Sequence, residues 1–223
     1  MKPELQMESD TAYTRVRALI LSRELAAGTS ISERGLSETL GLGRTPVREA
    51  IKTLAQEGLL EVIPARGTFV RQLTVEDMRE IHEVRLGLEG IAAVLAAQQG
   101  ASEALRLCAQ QLREMAQQTA LDVLETQKVG WRFHEAMFQT TGNQRLLSLY
   151  LNLRAQSGLA LQQLEHYDAG RLRLAINEHL DIYAAIEARD AARAQRAVWD
   201  HLSHALQGRL QSLAPNPGRP AAL

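Results

Sequence analysis

Three histidines carry the side chains in this chain best suited to chemistry: His134 in VGWRFHEAMF, His179 in LRLAINEHLDIYAAI and His201 in AVWDHLSHAL. Each lies on a stretch whose apolar residues recur at helical spacing, and each faces the apolar side. His134 sits among Trp131, Phe133, Met137 and Phe138. His179 shares a stripe with Leu172, Ala175, Ile176, Ile182, Tyr183 and Ile186, and His201 is a turn from Ala197, Val198 and Ala205. Neutral imidazoles offer lone pairs to Zn²⁺ and similar ions, and a helical bundle can bring inward-facing side chains to one point. A single histidine on an apolar stripe is equally a hydrogen-bonded core residue, so the residues alone leave ligation and simple burial both open. His204 falls on an adjacent face and reads as a surface or supporting group. The one cysteine, Cys108 in LRLCAQQL, reads as a small core residue rather than a nucleophile, and a single cysteine excludes an intrachain disulfide.

A second set is cationic. In SISERGLSETLGLGRTPVREAIKTLAQEGLL, residues 30–60, Arg44, Thr45, Arg48 and Lys52 share one helical face, and Val47, Ala50, Ile51 and Leu54 share the other. Thr45 is suited to cap this helix, with Pro46 at its first position. A helix of this kind fits the DNA major groove, where arginine meets guanine O6 and N7 bidentately or clamps a phosphate. In LLEVIPARGTFV, β-branched and apolar residues flank Pro64-Ala65-Arg66-Gly67, the pattern of a two-stranded hairpin. Arg66 at its tip suits the negative potential of a minor groove, and Gly67 allows close backbone approach.

These residues need scaffolds. Residues 11–25 show a helical stripe through Val16, Leu19, Ile20 and Leu25, which AAGTS breaks. Short helices at about 33–40 and 46–57 flank Gly41-Leu42-Gly43. Thr74 and Asp77 form a capping box that opens a long helix. Six helices are expected near 75–98, 102–118, 121–141, 144–165, 169–188 and 190–212, punctuated by Gly100, Gly142 and Gly170. The fold class is therefore mainly α: a winged helix-turn-helix over residues 11–71 and an all-helical bundle over 74–212. Residues 213–223, Pro- and Gly-rich, read as a disordered tail.

Composition agrees. Aromatic residues make up only 4% and the chain is rich in good helix formers. No apolar run is long enough to span a bilayer and no signal peptide is evident, so a cytoplasmic protein without a membrane partner is expected. The overall charge of −1 hides an asymmetry, because residues 11–71 hold nine Lys/Arg against six Asp/Glu. A polyanion would meet that third of the chain.

The stretch GRTPVREAIKTLAQEGLLEVIPARGTFV resembles the DNA-binding signature of the GntR family of bacterial transcription regulators, and the helical region that follows is similar to the FadR-type (FCD) ligand domain. The resemblance implies DNA contacts from Arg34, Arg44 and Arg48, with Thr45 on a phosphate and Gly67 at the wing. Leu36-Ser37 stands where many family members carry Leu-Ala. It also implies a divalent metal, Zn²⁺ foremost, held by His134, His179 and His201 in the matching pairs Phe133-His134, Glu178-His179 and His201-Leu202. Such an ion helps hold a carboxylate effector. The family's acidic position one turn before His134 is Gly130 here, so one protein ligand is missing and space beside Trp131 is expected. Arg85 in Arg-Leu-Gly-Leu-Glu resembles the start of the ligand domain; it reaches for a carboxylate or pairs with Glu89, and Arg154 is a further candidate.

The function expected is that of a repressor controlled by a small organic acid, a homodimer with two recognition helices on a pseudo-palindromic operator in double-stranded DNA. Two rivals stand beside it: a dedicated metal sensor, and a three-histidine hydrolytic metalloenzyme, which would want a general base that no carboxylate spacing suggests. The reading taken is that the protein is not an enzyme.

Overall fold

The computed structural model describes residues 2–162 and 169–213. They form α1 (Lys2–Leu21), β1 (Ser30–Ile31), α2 (Glu33–Leu40), α3 (Arg44–Gln56), β2 (Leu60–Ile63), β3 (Gly67–Val70), α4 (Val75–Gln99), α5 (Glu103–Ala116), α6 (Val123–Thr140), α7 (Gln144–Gln162), α8 (Ala169–Glu187) and α9 (Ala191–Leu213). Two compact units result. Among the described residues, those up to 77 group with 152–162, and those of 78–151 group with 169–213.

In the first unit α1 packs on α3. Ala12, Val16 and Ile20, spaced by four residues, bury one face, and Val47, Ala50, Ile51 and Leu54 bury the matching stripe of α3. Polar ties close the ends of these helices. Arg15 donates from Nη1 to the Leu40 carbonyl at 2.7 Å, which satisfies a terminal carbonyl of α2. Tyr13 donates its hydroxyl to the Glu57 carboxylate, and Gln156 donates to the Glu57 carbonyl, both at 2.9 Å. Burial and the Glu57 carboxylate together push the Tyr13 hydroxyl up to about 12.

The expected hairpin forms, with Val62 opposite Thr68 in antiparallel register. It is one strand short of the real sheet. Ser30-Ile31 pairs with Phe69-Thr68, giving the order β1-β3-β2. A two-residue strand in AAGTSIS leaves no alternation to read, because only β3 across from it makes it a strand. α1 also ends at Leu21, four residues before the expected limit at Leu25. α3 begins at Arg44 with Gly43 as its N-cap, so Thr45 is not the cap. Pro46 is then the third helical residue, where a missing N–H still costs nothing.

In the second unit the helices follow the expected boundaries closely. Thr74 and Asp77, just before it, cap α4 reciprocally: Asp77 N–H donates to Thr74 Oγ1 at 3.0 Å, and Thr74 N–H donates to Asp77 Oδ2 at 2.8 Å. Ser102 and Asp122 cap α5 and α6 in one direction only, their side chains accepting from the N–H groups of Leu105 and Glu125. Gly100 and Gly142 take left-handed φ values of 81° and 68° beyond α4 and α6, while Gly170 lies inside α8. Arg173 donates to the carbonyls of Gln118 and Thr119 beyond α5, at 2.8 Å each. Residues 163–168, where the expected α7 was to run on, and the tail 214–223 lie outside the described residues.

The core of this unit joins Ala92, Ala93, Ala96 and Ala97 of α4 to Leu105, Leu112, Phe133, Phe138, Ile176, Ile182, Ile186 and Val198. Alanines on α4 let neighbouring helices come close. Trp199 of α9 lies against α4, and its Nε1–H donates to the Leu86 carbonyl at 3.0 Å. A Cβ placed on Gly90 would stand 2.5 Å from that nitrogen, whereas one on Gly87 would meet nothing within 4 Å. Gly87→Ala should therefore stabilise the protein by about 0.5–1 kcal/mol through helix propensity. Gly90→Ala should destabilise it by about 1–3 kcal/mol, because the indole must shift and lose its bond. Urea melts of the two variants check the opposite signs.

Candidate metal centre and nucleic-acid interface

The three histidines meet. His134 on α6, His179 on α8 and His201 on α9 are 3, 5 and 6% exposed, and one ring nitrogen of each lies within 4.8 Å of the others. His134 Nε2 stands 3.1 Å from His179 Nε2 and 3.2 Å from His201 Nε2. Phe133 packs its ring edge-on to His134 and His179, which holds both planes.

The opposite nitrogens decide the tautomers. His179 Nδ1–H donates to the Ala175 carbonyl at 2.6 Å, and a carbonyl can only accept. His201 Nδ1–H donates to Glu178 Oε2 at 2.8 Å. Both Nε2 atoms therefore present lone pairs. Burial, and for His179 its imidazole neighbours, hold the pKa of His179 well below its ordinary value, and burial takes His201 down to about 4. Both are neutral near pH 7.

His134 Nδ1 lies 2.7 Å from Glu89 Oε2, though the approach is too poorly aligned for a hydrogen bond and both atoms are buried without one. Neither neutral tautomer of His134 satisfies its surroundings. A proton on Nδ1 leaves three lone pairs facing one another at Nε2; a proton on Nε2 leaves a lone pair against the Glu89 carboxylate. A cation among the three Nε2 atoms, with the His134 proton on Nδ1, relieves the conflict. Nitrogens bound to one tetrahedral ion at about 2.0–2.1 Å are spaced by about 3.3–3.4 Å. The two spacings to His134 Nε2 come close to this, and the third pair lies within 4.8 Å.

Two carboxylates stand behind the ring nitrogens. Glu89 is wholly buried, and its Oε1 accepts from Arg85 Nε at 2.6 Å. Despite burial, which opposes ionisation, Arg85 and His134 hold its carboxyl far below the usual range. Glu178 accepts from both terminal nitrogens of Arg171, at 3.0 and 2.8 Å, and from His204 Nδ1 at 2.9 Å. His201 and Arg171 bring its carboxyl down to about 2 against the effect of burial.

Sequence spacing singled out the three histidines and offered the Arg85–Glu89 pair as one of two readings of Arg85. It did not identify Glu178 or Arg171 as supports, because Glu178 reaches across from α8 to a histidine on α9. The expectation of free space at Gly130 is corrected: a Cβ there would lie 3.3 Å from His179 Cε1 and 3.4 Å from its Nε2. The His179 ring occupies that room. Arg154 lies on the part of α7 that groups with the first unit, half-buried.

The candidate DNA contacts all lie in the first unit and are exposed. Arg44, Thr45, Arg48 and Lys52 line the outer side of α3, and Arg34 lies on α2, 3.8 Å from Glu38. Arg66 and Gly67 form the wing tip, with Ala65 and Gly67 at positive φ and the guanidinium 6.0 Å from the Phe69 ring centre. No side chain caps the N-terminus of α3. Its first N–H groups and the helix dipole therefore face outward, ready for an anion such as phosphate. Arg48 is engaged by Glu33, a contact that sequence spacing did not reveal.

The family model described as bacterial regulatory proteins, gntR family, matches residues 8–70, and the FCD domain model matches residues 80–204. The chain is 27% identical to the HTH-type transcriptional repressor RspR of Escherichia coli over 196 residues, covering 85% of this chain and 83% of that one. It is 31% identical over 201 residues to the "Probable D-xylose utilization operon transcriptional repressor" of Paenarthrobacter nicotinovorans, with 86% of each covered. The solved structure of E. coli McbR/YncC matches with a TM-score of 0.75 and 23% identity over 92% of this chain and 97% of that one.

The neutral, buried imidazoles set a pH dependence. Their folded pKa values lie below the ordinary 6.5, so the stability they support is present above pH 6.5 and is lost as pH falls toward 4. In chelator, the urea midpoint should decline across that window, and His201→Gln should flatten the decline. An unchanged slope in the variant would show that His201 stays protonated or free in the folded protein.

Proposed function

The chain belongs to the gntR family of bacterial regulatory proteins, in the branch that carries an FCD domain, and from that premise we propose a dimeric, operator-binding repressor whose helical unit takes up a divalent ion and a small carboxylate effector. Its relatives are transcription regulators, and the protein is a regulator rather than an enzyme. No helix among the described residues is long and apolar enough to cross a membrane.

The observation that carries the effector reading is the set of three buried Nε2 atoms, two of them fixed as lone-pair donors from behind. His134, His179 and His201 would hold the ion. A bound divalent ion would supply a Lewis-acidic anchor for an oxygen of the effector. With Gly130 in place of an acid, the donors are all imidazole, which favours Zn²⁺ over oxygen-preferring ions such as Mn²⁺. Glu178 orients His201 through its hydrogen bond, and Glu89 and Glu178 lend negative charge from behind His134 and His201. Arg85 spends its Nε on Glu89, and its terminal nitrogens suit the effector carboxylate.

In the first unit, Arg44 and Arg48 would read bases from α3, Thr45 and the helix N-terminus would take a phosphate, Arg34 would support them, and Arg66 and Gly67 would enter the minor groove. Two copies would place two α3 helices on a pseudo-palindromic site. An effector can release the operator only through unequal affinity for the DNA-bound and DNA-free arrangements.

The near-complete burial of the three histidines favours a second reading, in which the ion alone is the signal. Thermal-shift titrations with Zn²⁺, with chelator and with a panel of small carboxylates separate the two. The ion should raise the melting temperature, and a carboxylate should raise it further only in the ion's presence; operator release by ion alone would select the sensor reading. Glu178→Gln should weaken ion affinity by about 10–100-fold. Uptake of no divalent ion by the wild type would refute the metal site. On an operator selected from random duplexes, Arg48→Ala should lose about 1–3 kcal/mol of affinity. Wild-type binding by both Arg44→Ala and Arg48→Ala would remove α3 from the interface.

A further inference from the structure

Arg48 does not enter solution as a free cation. Its Nε donates to both oxygens of Glu33, at 3.2 and 3.1 Å, and its Nη2 lies 3.1 Å from Oε2. Glu33 is the first residue of α2, after the Ser32 cap, where the helix dipole favours an acid. The two residues are fifteen apart, so the contact exists only because α2 and α3 are packed together. Their side chains are 48 and 36% exposed, and a pair so open to water contributes little to folding. Its place on the outer side of α3 calls for another account.

We propose that Glu33 is a positioning residue for base readout, resting on the DNA-binding role of α3 given above. A guanidinium has five N–H donors in a fixed plane. Glu33 takes the edge formed by Nε and one side of Nη2, which leaves both hydrogens of Nη1 and one of Nη2. That end of the fork is the one needed to meet guanine O6 and N7 together. Holding one edge fixes the plane and direction of the other, so less side-chain freedom is lost when the base is met.

The same carboxylate acts against indiscriminate binding. Beside a phosphate, the Glu33 charge about 3 Å from Arg48 offsets the attraction of the guanidinium, so contact with the backbone alone gains little. Lys52 and Arg34 have similar acidic neighbours, Glu49 at 2.9 Å and Glu38 at 3.8 Å. Arg44 has no ion pair among the described residues. Glu33 differs from these acids in engaging its arginine through two nitrogens, which sets direction as well as charge.

The test uses the full chain and Glu33→Gln, which keeps the size of the side chain and removes its charge. Wild type first selects a preferred duplex from a random library. Both proteins are then titrated, across a range of salt, against that duplex, against copies changed at single base pairs, and against a random-sequence duplex. Glu33→Gln should bind the random duplex on the order of three- to tenfold more tightly, with a salt slope steeper by close to one. Its discrimination at one base pair per half-site should fall on the order of tenfold, and Glu33→Gln should change nothing there in an Arg48→Ala background. Unaltered discrimination and unaltered random-duplex affinity in Glu33→Gln would overturn the proposal while leaving DNA binding intact. Failure of the wild type to enrich any sequence would instead remove the premise, and the proposal with it.

Discussion

A carboxylate with no exposure to water is among the costlier things a fold can contain, and Glu89 is one. Its charge is kept only because Arg85 donates to one oxygen and His134 presses against the other. The arrangement of the helical unit follows from that constraint. α4 must carry Arg85 and Glu89 one turn apart, α6 must bring His134 to them, and the face of His134 turned away from Glu89 must then meet two further imidazoles. Removing either partner would leave a buried charge uncompensated, which is more damaging than never having had the pair.

Glu178 repeats the device with different surroundings. It is half-buried rather than sealed, and Arg171 and His204 share it with His201. The centre is thus flanked by two acid–arginine pairs, neither of which approaches the convergent Nε2 atoms directly. Gly130 fits the same logic. By omitting a side chain on α6 it admits the His179 ring, so the imidazoles are drawn tightly together while negative charge stays one layer out.

Much of this was legible in the chain. Thr74 and Asp77, Gly100 and Gly142 mark helix ends by local chemistry, and local chemistry is what a sequence displays most directly. The histidines were legible because three imidazoles on three apolar stripes share one reason to point inward. What escaped notice depends on reach between elements. β1 exists only by pairing with β3; Glu178 matters through a histidine on the next helix; and Glu33 meets Arg48 through the angle between α2 and α3. Gly43 displaced Thr45 as the cap of α3 because the backbone turned helical two residues earlier than side-chain preference suggested.

That displaced cap leaves α3 unfinished. Most helices complete themselves, borrowing an oxygen from a neighbouring side chain to quiet the first amide hydrogens. α3 does not, and so withholds a small part of its own stabilisation until something anionic arrives. On the DNA-binding role proposed for α3, a duplex phosphate placed there would be a structural component of the helix as well as its target. Occupancy of DNA and rigidity of that helix would then be one equilibrium, in which each tightens as the other does.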